Sequence, residues 1–224
     1  MVNAVLFDLF ETLITESRVQ PTRASSLGEQ LRVKPEAFRS RWRVQRPRVI
    51  LGRLSLAEAL AEICDSLDGR VDKTAIQRIC EQRIREKAAV FDRISDDITA
   101  LLADLTNRGL DVGVISNCFE EDVRAWPVCS LARHVRCAVF SFAEGLAKPD
   151  AEIYRLAARR LGIEPATAVF IGDGGDHELA GAEQAGLRAF RAVWFSTAGP
   201  LPRSRSTNPD LVSTTDVLNL VAAG

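Results

Sequence analysis

At four places in this 224-residue chain, polar residues stand at or shortly after the end of a short apolar run. Asp8 ends "AVLFD", Ser116 and Asn117 follow "VGVI", Lys148 lies in "GLAKPD" shortly after "CAVFSF", and Asp173 follows "VFIG". Ligands of open parallel sheets bind beyond the carboxyl ends of the strands, so these positions would meet at one edge. A carboxylate, a hydroxyl, an amine and a second carboxylate gathered there make a centre for handling anions. The electrostatics set a condition: anionic side chains and an anionic ligand repel, so a cation must stand between them. One neighbour is out of character. In "VLFDLFETLIT", residues 5 to 15, the position two after Asp8 is Phe10, whose ring cannot transfer a proton.

The elements that must position these residues are legible from periodicity. Apolar, β-rich runs open "AVLFD", "LDVGVISN", "CAVFSF", "AVFIGD" and "RAFRAVW", and helical patterns separate most of them. In "SDDITALLADLTNRG", Ile98, Leu101, Leu102 and Leu105 fall at i, i+3, i+4 and i+7, with Gly109 as the stop. "PDAEIYRLAARRLG" repeats the pattern with Ile153, Leu156, Ala157 and Leu161 before Gly162. Strand and helix in alternation predict a doubly wound α/β fold with a parallel sheet covered on both faces. Residues 16–90 break the alternation: no strand can be drawn there, and three or four helices can. "SLAEALAEICDSL" opens with a capping box, Ser55 with Glu58, and "DKTAIQRICEQRIREKA" continues the helical pattern. The expected organisation is therefore a core of residues 1–15 and 91–224 with a helical insertion, 16–90, after the first strand. "TAGPLPRSRSTNPD" near the C-terminus reads as a surface loop.

Composition narrows the classes. With 46% hydrophobic residues the chain can bury a sizeable core, and no apolar stretch nears the roughly 20 residues that span a bilayer. No export signal is apparent, so the expected compartment is the cytoplasm. Cys64, Cys80, Cys118, Cys129 and Cys137 are odd in number and lack paired short spacing, which predicts reduced thiols rather than disulfides or zinc. Twenty-nine basic against 30 acidic side chains give no global case for nucleic acid or membrane as partner. Residues 15–90 nevertheless hold 16 Lys/Arg against 10 Asp/Glu, which leaves the remainder acidic.

The order of these motifs resembles the haloacid dehalogenase superfamily of hydrolases through essentially the whole chain. The resemblance rests on "FDLFETL", "VISN", "KPDAEIYRLAARRLGI" and "FIGDGGDHELAGAEQAGL", the last two being the more specific. It implies a Rossmann-like core and a helical cap of that family's commonest kind. It also implies Asp8 as a nucleophile forming an aspartyl-phosphate or aspartyl-ester, with Ser116 and Lys148 completing the catalytic set and, with Thr12 and Asn117, binding substrate. Mg²⁺ would be held by Asp8, the Phe10 carbonyl, Asp173 and Glu178. The substrate would be a small molecule, a phosphorylated metabolite or a haloacid.

Phe10 departs from the pattern, because family phosphatases usually carry a second Asp there to protonate the departing alkoxide. Losing a positioned acid costs roughly 10²- to 10⁴-fold in rate, and halide as leaving group needs no proton. Family dehalogenases resemble this chain in having an aromatic at that position, but they are metal-free and typically show Ser-Asn where this chain keeps Gly172-Asp173. Three functions follow in order: a Mg²⁺-dependent phosphatase, a metal-free 2-haloacid dehalogenase, and a non-catalytic phosphate-binding module. Plainer roles stand beside these. Asp173 could only cap a helix, Lys148 could lie on the surface, Glu11 is the nearest alternative acid, and His134 and His177 read as structural. Trp42 with Arg41, Arg43, Arg46 and Arg48 is either a substrate lid or a solvated helix face.

Overall fold

The computed structural model describes residues 1–16, 24–67, 72–196 and 209–223; most of the loop expected at 197–210 lies outside them. The five apolar runs form five strands: β1 (Ala4–Phe7), β2 (Asp111–Ser116), β3 (Cys137–Phe140), β4 (Ala168–Gly172) and β5 (Arg188–Arg191). They make one sheet in the order β3-β2-β1-β4-β5, every pair parallel, with Val5 opposite both Val112 and Val169. The chain starts in the middle, builds outward through β2 and β3, then crosses to β4 and β5. The crevice at that change of direction, beside β1, is where ligands of such sheets bind.

Alternation along β1 explains its continuous apolar sequence. Val5 and Phe7 face one layer with Leu101, Leu102 and Leu105 of α5 (Asp96–Asn107) and Val217 of α9 (Thr214–Ala222). Ala4 and Leu6 face the other, with Tyr154 and Ala157 of α7 (Ala151–Leu161) and Leu179 and Ala182 of α8 (Glu178–Gln184). A strand covered on both faces has no solvated side on which to place polar residues. Both expected glycine stops occur: Gly109 has φ +79° just past α5, and Gly162 ends α7 at φ +71°. A short turn, α6 (Ser141–Glu144), follows β3.

Residues 24–91 contain no strand among those described and form α1 (Ala24–Gln30), α2 (Pro35–Ile50), α3 (Leu56–Ser66) and α4 (Lys73–Phe91). The Ser55/Glu58 capping box at α3 is formed in both directions. These helices close around a cluster of their own, including Leu27, Phe38, Leu60, Ile63 and Ile79, into which Phe119 reaches from the loop after β2. All five cysteines are free; Cys64, Cys118 and Cys137 are buried and Cys80 and Cys129 partly so. No helix among the described residues is long and apolar enough to cross a membrane.

Candidate active site

Because β1, β2 and β4 run side by side, Asp8, Ser116 and Asp173 emerge from neighbouring strands at the same edge. Asp8 is buried, and its amide donates to the Ile171 carbonyl across the sheet at 2.8 Å, which fixes where the carboxylate leaves the strand. The Thr12 hydroxyl donates to Asp8 Oδ2 at 3.2 Å, and the Lys148 ammonium takes the other oxygen. Lys148 Nζ also donates to Glu178 Oε2 at 2.5 Å, so one buried ammonium bridges two buried carboxylates.

The neighbours of this bridge hold it in place. The Asn117 side chain pairs with the Lys148 backbone in both directions, Nδ2 to the carbonyl and the Lys148 amide to Oδ1, each at 2.8 Å. Asn117 thereby sets the direction of Lys148. The Gly174 amide donates to Glu178 Oε1 at 3.0 Å, and the Tyr154 hydroxyl donates to the Glu178 carbonyl at 2.7 Å. Two glycines of the last motif have steric reasons. A Cβ at Gly172 would stand 2.1 Å from Glu178 Oε1, and one at Gly181 would stand 2.3 Å from the Pro149 carbonyl oxygen. Without them the acidic side chain and the lysine loop could not approach as they do.

The charges do not balance. Oxygens of Asp8, Asp173 and Glu178 all lie within 4.8 Å of one another, and a single ammonium faces them. Burial pushes the Glu178 carboxyl up to about 7, with Lys148 pulling the other way, and burial raises Asp8 as well. Although burial opposes the charge of Lys148, Asp8 and Glu178 outweigh it and hold the ammonium above its ordinary range. Fully ionised, three carboxylates and one ammonium leave a deficit of two positive charges, the charge of one divalent ion, and the upward push on Glu178 and Asp8 is the same deficit met by protons. The donors are all hard oxygens, as Mg²⁺ prefers. Ser116 supplies a second sign of an absent ligand: its hydroxyl oxygen is buried and has no hydrogen-bond partner. A buried polar atom without a partner is rare in folded proteins.

Residues 2–186 match the family of haloacid dehalogenase-like hydrolases. The chain belongs to that family. It is 31% identical to a phosphoserine phosphatase of Thermus thermophilus over 163 residues, 69% of this chain and 64% of that enzyme. It is 32% identical to the N-acetylmuramic acid 6-phosphate phosphatase of Pseudomonas aeruginosa over 178 residues, 77% of this chain and 74% of the relative. The chain thus spans just under two thirds of the Thermus enzyme. In fold it is similar to a 2-haloacid dehalogenase of Pseudomonas syringae pv. tomato, with a TM-score of 0.70 at 23% identity, covering 100% of this chain and 99% of that one.

Within this hydrolase, Asp8, Ser116, Asn117, Lys148 and Asp173, expected beyond the strand ends, lie at one edge, and Thr12 and Glu178, implied by the resemblance, bond to Asp8 and Lys148 there. Glu11 does not join them through its carboxylate. It occupies a left-handed turn at φ 60°, a conformation costly for a residue with a side chain, and its oxygens accept from Thr15 Oγ1 at 2.8 Å and the Glu16 amide at 2.7 Å. Both bonds fold it back onto its own turn. His177 is exposed, and His134 accepts from Arg133 at 3.1 Å on the surface side. The residue that sequence reading missed is Lys87 of α4. Its ammonium lies 4.3 Å from the centroid of the Phe10 ring, is ion-paired to Glu16, and stands 3.9 Å from Asp122. Burial pulls it below the usual lysine range. No spacing rule links residues 77 positions apart.

Proposed function

We propose that this hydrolase is a Mg²⁺-dependent phosphatase of a small phosphorylated metabolite, working through an aspartyl-phosphate on Asp8. The observation that carries this is the shortage of positive charge among Asp8, Asp173 and Glu178. A metal-free dehalogenase has no use for three converging carboxylates, whereas a phosphate ester brings further negative charge to them. Asp8, Asp173, Glu178 and the Phe10 carbonyl would hold the ion, which when bound supplies charge neutralisation for attack on an anion.

The chain's own groups do the rest. Asp8, oriented by the Thr12 hydroxyl, attacks phosphorus, and the bond to the leaving oxygen breaks. The Ser116 hydroxyl and the Lys148 ammonium stabilise the phosphoryl oxygens, where charge accumulates. The leaving oxygen takes its proton from solvent; water then attacks phosphorus, the bond from phosphorus to the Asp8 oxygen breaks, and inorganic phosphate departs, returning Asp8. Residues 16–90 act as a cap over the core of 1–15 and 91–224, excluding bulk water during the reaction.

A second reading has one observation in its favour. The Phe10 side chain offers no proton, which suits halide as leaving group, so a 2-haloacid dehalogenase remains the alternative. One assay separates the two. Phosphate release from an aryl or acyl phosphate that stops with chelator supports the phosphatase; chloride release from a 2-haloacid that persists in chelator supports the dehalogenase. Neither activity, with Mg²⁺ and phosphate still bound, identifies a binding module.

A further inference from the structure

Beside the reaction centre lies a cavity of about 270 Å³ between α2, α4 and the loops after β1 and β2. Phe10 and Asn117 line it, so it opens from the same loops that carry Asp8 and brace Lys148. Its charged lining comprises Arg46, Arg83 and Lys87 against Glu16 and Asp122, three cations to two carboxylates. Trp42 and Phe119 supply aromatic wall, their ring centroids 5.8 Å apart in an edge contact.

The surplus falls on the arginines. Lys87 is ion-paired to Glu16, and Arg83 Nη2 meets Asp122 at 2.7 Å. Arg83 Nε is buried and has no hydrogen-bond partner, although its guanidinium also stacks 4.7 Å from the Phe119 ring centroid. Arg46 forms no ion pair with any described carboxylate. A buried donor without a partner is costly, and guanidinium forks match planar carboxylates with paired hydrogen bonds.

We infer that the cavity is a subsite for a carboxylate on the leaving group, so that the substrate is a small phosphorylated acid held by Arg46 and Arg83. This rests on the phosphatase reading and narrows it to a class of substrate. Size agrees: about 270 Å³ corresponds to roughly nine water volumes, enough for a short acid chain. Arg46 and Arg83 act on specificity and touch no reacting atom.

The test compares two non-hydrolysable probes of equal shape, 3-phosphonopropionate and 3-methylbutylphosphonate, by calorimetry on the full chain with Mg²⁺. The carboxylated probe is expected to bind at least about tenfold more tightly, as a charged hydrogen bond contributes that much or more. In Arg46→Gln, at an exposed position, the ratio of affinities falls toward one, and in Arg46→Glu it inverts. Arg83→Gln should lower the ratio as well; should that variant fail to fold without its Asp122 pair, the Arg46 variants decide alone. Equal affinities in the wild type, or a ratio unmoved by either Arg46 substitution, overturn the subsite while leaving the phosphatase intact. Failure of both probes to bind, together with no chelator-sensitive phosphate release, overturns the phosphatase reading and this inference together.

Discussion

Lys148→Met is the most informative perturbation of this site. The ammonium is 4% exposed and lies between Asp8 and Glu178, with Asp173 close by. Methionine fills much the same volume and removes only the charge and its donors. Asp8 and Glu178 then remain buried and close together, with half-buried Asp173 beside them and no counter-charge. Removing one partner of a buried ion pair costs about 3–5 kcal/mol, which for a chain of this size lowers the melting temperature by roughly 10 °C. The deficit has a definite pH dependence. Above their pKa values Asp8 and Glu178 are both charged and repel; as pH falls they protonate and the repulsion vanishes. The gap between wild type and Lys148→Met, measured by urea denaturation in chelator, should therefore be largest near pH 8 and shrink toward pH 5. Added Mg²⁺ should narrow it at pH 8, and phosphate release should fall by roughly 10²- to 10³-fold. A gap below about 1 kcal/mol, or one equal at both pH values, refutes the charge argument.

Other outcomes follow from the same geometry. Glu178 ionises at about 7 in the fold against an ordinary 4.5, so between those values the folded state holds a proton that the unfolded chain has lost. Stability in chelator should therefore fall as pH rises from 4.5 to 7, by at most about 3 kcal/mol, and Glu178→Gln should flatten that slope; equal slopes in urea titrations would contradict it. Asp8→Asn should abolish turnover while circular dichroism stays native, and normal activity in that variant would refute covalent catalysis. Phe10→Asp should raise hydrolysis of alkyl phosphates by up to about 10²-fold and aryl phosphates far less, since only the former need a proton. A folded variant with no gain on alkyl esters would count against the missing acid as the bottleneck.

Much of this was written locally in the sequence. Strands buried on both faces read as unbroken apolar runs, so each run announced a strand and the polar residue after it announced the site. Asp8, Ser116 and Asp173 were legible for that reason, and Lys148 through the motif that follows it. Gly109 and Gly162 marked helix ends because the backbone there needs a left-handed turn. What stayed hidden depends on docking between distant segments. The placement of Lys87 over Phe10 is decided by how α4 packs against the loop after β1, and the Arg83–Asp122 pair by how it meets the loop after β2. Neither has a period or a spacing to betray it. The Asn117 brace on Lys148 was also unreadable: a polar residue past a strand serves equally as turn former, ligand binder or support, and only its partner tells which.

The account turns on Asp8 accepting the phosphoryl group while a divalent ion offsets the charge of its carboxylate neighbours. Peptide mapping of a rapidly quenched single turnover, using an aryl phosphate with Mg²⁺ and again in chelator, addresses that directly. A phosphoryl adduct on Asp8 with the metal, and none in its absence, is the predicted result. Turnover that proceeds with no adduct on Asp8, or an adduct that forms equally well in chelator, would contradict it.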